Sequence, residues 1–191
     1  MATVKILAFN GSLRADSYNK KLVLQACDIL KDQGCIINFL DLRSLGLPFY
    51  DGDCEVQQGI PEGGQKLIKA INETDGLCIG NPEYNSGITG ALKNAIDWTS
   101  RAESKPFAEK PILLVGTSPG IFGASKSHLM TRQILTQLGA VVIPSQITIP
   151  SAGTAFDEKG NLKNPAQVKL LHGACAQLIK FAGFLKRIIN Y

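Results

Sequence analysis

An alternation that runs the length of the chain constrains its fold more than any other feature. Short apolar runs at residues 4–9, 35–40, 75–80, 112–116 and 141–149 are separated by segments whose apolar residues recur at helical spacing. The run Gly-Leu-Cys-Ile-Gly ending at Gly80 is apolar on both faces, as a central parallel strand requires. Strands that alternate with helices need crossover connections, and crossovers of one hand lay helices over both faces of an open parallel sheet. The expected fold is α/β: one domain over residues 1–191, a flavodoxin-like three-layer sandwich with five parallel strands in the order 2-1-3-4-5.

The intervening segments fill in that frame. After the first strand, Leu22, Leu24, Ala26, Ile29 and Leu30 mark a helix that Gly34 closes. Residues 43–53 mix apolar anchors with turn residues and read as an ordered surface loop. Pro61 opens a helix that ends near Asn72, with Leu67, Ile68 and Ile71 on its apolar side. The helix over 126–138 should bury Leu129, Ile134, Leu135 and Leu138 before Gly139 caps it. Pro144 should interrupt the fifth strand. Residues 150–165 form an edge or lid with Phe156 as anchor. In the last helix Leu171, Cys175, Leu178, Ala182, Leu185 and Ile189 form a core-facing stripe, with Lys186 and Arg187 at its negative end. Such a basic amphipathic helix also suits a membrane surface, but the closing helix of an α/β sheet directs its stripe inward.

Chemistry concentrates in the loops at the carboxyl ends of the strands. Residues 9–19, Phe-Asn-Gly-Ser-Leu-Arg-Ala-Asp-Ser-Tyr-Asn, place hydroxyls, an amide and backbone N–H groups before a helix N-terminus, which favours an anion. Arg14 adds a fork suited to phosphate oxygens. The spacing is neither Gly-x-Gly-x-x-Gly nor a P-loop, so a single terminal phosphate is expected rather than a dinucleotide or nucleoside triphosphate. The plainer reading makes Ser17 or Asn19 an ordinary N-cap and leaves Arg14 in solvent. Without the glycine fingerprint, Asp41 at the tip of the second strand is not read as a ribose ligand.

The second loop carries Pro82, Glu83, Tyr84 and Asn85, followed by Gly87 and Gly90. Polar edges, one ring and close-approach glycines suit a flat heteroaromatic ligand. Trp98, two turns into the next helix, is read as core or subunit contact. Residues 117–123 form a third polar loop. In the order 2-1-3-4-5 the crevice between strands one and three is the topological switch point, where ligands bind, and the Ser12 and Tyr84 loops both end there. One phosphate pocket beside one planar-ring pocket is the shape of FMN.

Bulk properties narrow the class. A net charge of +4 with dispersed Lys and Arg makes no nucleic-acid stripe. The N-terminus enters the first strand with no signal peptide, and no run is read as membrane-spanning, so the cytoplasm is the expected compartment. Five cysteines without a Cys-x-x-Cys pair are read as reduced; Cys27, Cys78 and Cys175 are small core hydrophobes and Cys54 an exposed thiol. His128 and His172 lie near no second evident ligand, so no metal is expected.

At these residues the chain resembles the NAD(P)H-dependent FMN reductases. The similarity rests on Gly11-Ser12-Leu13-Arg14 with Ser17 and Asn19, and on Pro82-Glu83-Tyr84-Asn85 with Gly90 and residues 92–98; it extends over roughly residues 3–185. The resemblance implies that Ser12, Arg14, Ser17 and Asn19 bind the FMN phosphate and that Pro82, Glu83, Tyr84 and Asn85 bind the isoalloxazine, with Ser118 and Gly120 nearby. It implies hydride transfer from NADPH or NADH to FMN, then electron transfer to a quinone, flavin, azo compound or metal oxyanion, with no catalytic side chain. It also implies a homodimer or homotetramer with flavin near the subunit boundary. Many relatives carry proline where this chain has Thr89. The alternative is a flavodoxin-type electron carrier without direct NAD(P)H activity, but such carriers are typically acidic and this chain is not. A flavodoxin-like domain with an empty pocket would require both loop motifs to be coincidental.

Overall fold

The computed structural model describes residues 3–189. The chain runs β1 (Lys5–Asn10), α1 (Tyr18–Asp32), β2 (Ile36–Leu40), a 3-10 turn (Leu42–Leu45), α2 (Gly52–Gln58) and α3 (Glu62–Asn72). There follow β3 (Gly76–Gly80), a small hairpin of β4 (Glu83–Tyr84) and β5 (Gly87–Ile88), α4 (Gly90–Thr99), β6 (Pro111–Thr117) and α5 (Ser125–Gln137). The chain closes with β7 (Val141–Ile149), α6 (Ala152–Ala155) and α7 (Pro165–Ile189). The main sheet is parallel throughout, in the order β2-β1-β3-β6-β7, which is the expected 2-1-3-4-5 with the hairpin standing outside it.

Alternation along each strand divides the core between the two faces. Ile6, Ala8, Cys78, Leu113 and Val115 pack with Leu22, Leu30, Leu171 and Leu178 from α1 and α7. Leu7, Phe9, Leu77, Ile79, Ile112 and Leu114 pack with Leu67, Ile71, Leu92 and Ile96 from α3 and α4. Burial of both faces is why these strands carry almost no polar residue. Between the pairs Ile112↔Val142 and Leu114↔Gln146 the β6–β7 register shifts, placing Pro144 in an irregularity. Arg132 fills it, donating to the Val142 and Ile143 carbonyls at 2.8 Å each.

Some expectations change and others are met. Residues 43–53 are not loop throughout: the 3-10 turn ends at Gly46, and Asp51 caps α2, which buries none of its residues. Trp98, 1% exposed, is a core residue whose Nε1 donates to the Pro48 carbonyl at 2.8 Å and so fastens that stretch. Leu24, within α1, is 40% exposed. Phe156 is buried against Tyr18, ring centroids 5.9 Å apart, which pins the segment before α7. Helix α7 meets the length and composition of a membrane span, against the expectation. Its Leu171, Ala174, Cys175, Leu178 and Ala182 are buried in the α1 face of the core; Ile189's side chain lies outside the described residues.

Candidate functional site

The first loop is held in shape by its own polar side chains. Ser17 is the N-cap of α1: its Oγ accepts from Lys20 N–H at 3.4 Å and from Asn10 Nδ2 at 3.3 Å, leaving its hydroxyl hydrogen free to donate. Asn10 Nδ2 also donates to the Ser12 carbonyl at 3.0 Å. Ser12 Oγ accepts from Arg14 N–H at 3.3 Å. The one acid in the loop, Asp16, is turned outward and paired with Lys21 at 2.8 Å. The loop thus sets the Ser12 and Ser17 hydroxyls before the N-terminus of α1, with Arg14 exposed beside them, a setting that favours an anion.

Asn19 does something the sequence does not announce. Its Nδ2 donates to the Thr117 carbonyl and its Oδ1 accepts from Thr117 N–H, both at 2.9 Å, so it ties the first loop to the end of β6. Ser118 and Gly120 lie just beyond: the Ser118 carbonyl accepts from Ala152 N–H at 3.0 Å and the Gly120 carbonyl from Ser151 N–H at 3.3 Å. Ser118 is buried and Gly120 exposed.

The second loop leaves β3 and folds into the β4–β5 hairpin, whose turn residues Asn85 and Ser86 have φ of 51° and 63°. Two consecutive left-handed residues make a turn matched to the twist of a hairpin. Glu83 does not project freely, because its carboxylate accepts from Ser127 N–H at 3.0 Å at the start of α5. Tyr84 is half exposed, and its hydroxyl stands 3.4 Å from Ser12 Oγ. Thr89 binds the two loops more firmly: its Oγ1 donates to the Gly11 carbonyl at 2.6 Å and accepts from Leu92 N–H at 3.3 Å as the N-cap of α4. Gly11 must be glycine for this approach, since a Cβ there would lie 2.8 Å from that of Leu92. The structure thus brings the Ser12 and Tyr84 loops into contact at the β1–β3 crevice, with the third loop attached through Asn19.

On the β2 side of the first loop lies a cleft of about 140 Å³, lined by Ser12, Arg14, Lys20, Asp41 and Arg43. Asp41 accepts from Arg43 N–H at 3.0 Å and pairs with Lys20 at 3.3 Å. The Arg43 amide, then Lys20, holds its carboxyl below the ordinary carboxylate value. Among the described residues no cluster of metal-ligating side chains occurs.

Sequence reasoning missed the residues under the second loop. Asn81, Ser127, His128 and Thr131 are fully buried and polar. The signal was present: Ser127, Thr131 and Leu135 share one row at helical spacing, a row that is inward-facing and two-thirds polar. Leu129, expected in the core, is 64% exposed. Burial holds the His128 imidazole below its ordinary value of 6.5. As pH falls through 6.5 the unfolded chain binds this proton more readily than the folded one, so stability should decline below that pH. Melting curves from pH 7.5 to 5 should show a weaker decline for His128→Gln than for the wild type.

A family model described as NADPH-dependent FMN reductase matches residues 4–154. An NAD(P)H-dependent FMN reductase of Pseudomonas aeruginosa is 36% identical over 160 residues, covering 83% of this chain and 84% of its own. A quinone reductase of Escherichia coli is 35% identical over 140 residues, covering 73% of each. A flavoenzyme NAD(P)H:acceptor oxidoreductase of Paracoccus denitrificans superposes with a TM-score of 0.81 at 27% identity, covering 95% of this chain and 98% of that one.

Proposed function

Because the chain belongs to the NADPH-dependent FMN reductase family, we propose that it passes electrons from a nicotinamide to a quinone through FMN held across the β1–β3 crevice. The protein is an oxidoreductase that uses FMN and NAD(P)H. The observation that carries the placement is the contact of Ser12 Oγ with Tyr84 OH at 3.4 Å, which sets the anion loop and the polar-edged loop side by side at the switch point. Ser12, Ser17, Arg14 and the first amides of α1 hold the phosphate. Asn19 positions the third loop beside them and can add its remaining N–H.

FMN supplies the two-electron chemistry when bound. The chain's own part is to fix and shield it. Pro82, Glu83, Tyr84 and Asn85 present backbone edges to the ring system, with the Glu83 side chain engaged by α5 rather than by ligand. Ser118 and Gly120, in the third loop that Asn19 ties to the first, would lie beside the same site. No side chain here needs to exchange a proton with substrate.

The rim favours a quinone. Tyr84, Ile121, Phe122 and Met130 are exposed. Lys126 joins hairpin to third loop, with its Nζ 3.1 Å from Ser86 Oγ and 5.4 Å from the Phe122 ring centroid. An open apolar rim around a planar cofactor suits a planar apolar acceptor better than a hydrated oxyanion. The net charge of +4 and the reductase relatives weigh against a simple electron carrier. Phe49 and Val56, both highly exposed around α2, are where a second copy would pack in a homodimer or homotetramer. The free thiols of Cys27, Cys35, Cys54, Cys78 and Cys175 suit the cytoplasm. Steady-state assays with NADPH should give 1,4-benzoquinone a kcat/KM at least about tenfold above chromate, as apolar pocket selectivity allows. Equal or faster turnover of chromate would refute the quinone reading.

A further inference from the structure

The inward face of α5 is polar where the surfaces around it are apolar, and its polar groups converge on three consecutive residues. Asn81 Oδ1 accepts from Ser127 Oγ at 2.9 Å and from Thr131 Oγ1 at 3.0 Å, while Asn81 Nδ2 lies 3.3 Å from His128 Nδ1. Ser127 Oγ is also 2.9 Å from the Pro82 carbonyl, and Ser127 N–H donates to the Glu83 carboxylate. On the sheet side, Asn81 N–H donates to the Val115 carbonyl at 2.8 Å. Apolar residues would attach α5 to the sheet without desolvating polar groups, whereas a buried hydrogen-bonded network costs more to bury and fixes direction as well as distance. The direction fixed is that of the peptide units entering the hairpin. Helix α5 begins where the 117–123 loop ends, so one rigid turn governs both loops on this side of the crevice.

We propose that Asn81, Ser127 and Thr131 are positioning residues for FMN: they orient the backbone of residues 82–85 and thereby set flavin affinity and reduction potential. The inference rests on the assignment of FMN to the β1–β3 crevice. None of the three needs to touch the ligand; each acts through the loop.

The test is carried out on the full chain loaded with FMN, comparing Thr131→Val, which removes one donor and keeps the shape, with Thr131→Ser, which keeps the donor. The FMN dissociation constant is read from flavin fluorescence and the midpoint potential from equilibration with a reference dye. Thr131→Val should weaken FMN about fivefold to tenfold, the value of one hydrogen bond, and move the midpoint potential, while Thr131→Ser stays near wild type in both. Ser127→Ala, which removes contacts to two loop residues, should go further; if it does not fold, the threonine pair decides alone. A lower melting temperature for Thr131→Val with unchanged affinity and potential would overturn the positioning role. A wild-type chain that retains no FMN would overturn the site assignment along with it, whereas a wild type that retains FMN beside unaffected variants would overturn the positioning role alone.

Discussion

Replacing Thr89 with valine is expected to lower stability by about 3 kcal/mol and to weaken FMN binding. Valine keeps the shape and deletes one hydroxyl that has two partners. Its loss removes the N-cap of α4, costing about 1 kcal/mol, and takes from the Gly11 carbonyl the 2.6 Å hydrogen bond it receives, costing about 2 kcal/mol for a buried acceptor. For a chain of this size the sum corresponds to a melting temperature lower by about 10 °C. Because Gly11 begins the phosphate loop and Thr89 ends the hairpin loop, FMN should also bind less tightly. Thr89→Ser, which retains both hydrogen bonds, should lose about 1 kcal/mol and bind FMN almost normally. Calorimetry and fluorescence titration of the two variants check both parts.

Gly116→Ala should be comparably damaging. Gly116 lies near the end of β6, where a Cβ would stand 2.5 Å from His128 Cε1 and 2.7 Å from the Asn81 carbonyl oxygen. The imidazole is fully buried and the carbonyl is backbone, so neither can yield cheaply. Overpacking of this kind costs about 1–3 kcal/mol, and relief must come from moving Asn81, the residue on which the second loop is hung. Adding His128→Ala removes the ring clash and leaves the carbonyl clash. The double variant should therefore not recover wild-type FMN affinity, which titration of both proteins would establish.

The strands were legible because burial of both sheet faces leaves runs such as Leu77-Cys78-Ile79 with no polar interruption. Their order followed from strand and helix alternation, and the Ser12 and Tyr84 loops followed from their places at strand ends. The β4–β5 hairpin was not legible, because its left-handed turn residues are Asn85-Ser86 instead of the usual Asn-Gly, and each strand is two residues long. Helix α2 was hidden because it buries no residue and so carries no apolar period. The inward face of α5 was misread for the opposite reason. Periodicity assumes that what faces the sheet is apolar, and here Ser127, His128 and Thr131 face inward, Ser127 and Thr131 holding Asn81, while Leu129 turns to solvent. Thr89 looked like a departure from the family pattern; in the structure it is the hydroxyl that joins two loops.

Anaerobic stopped-flow mixing of the FMN-loaded protein with NADPH, and separately with NADH, tests the central claim most directly. Rapid bleaching of the flavin, followed by return of its colour on adding a quinone, is the predicted result and would rank the two donors. Retention of FMN with no bleaching by either nucleotide would contradict the reductase assignment and favour an electron carrier.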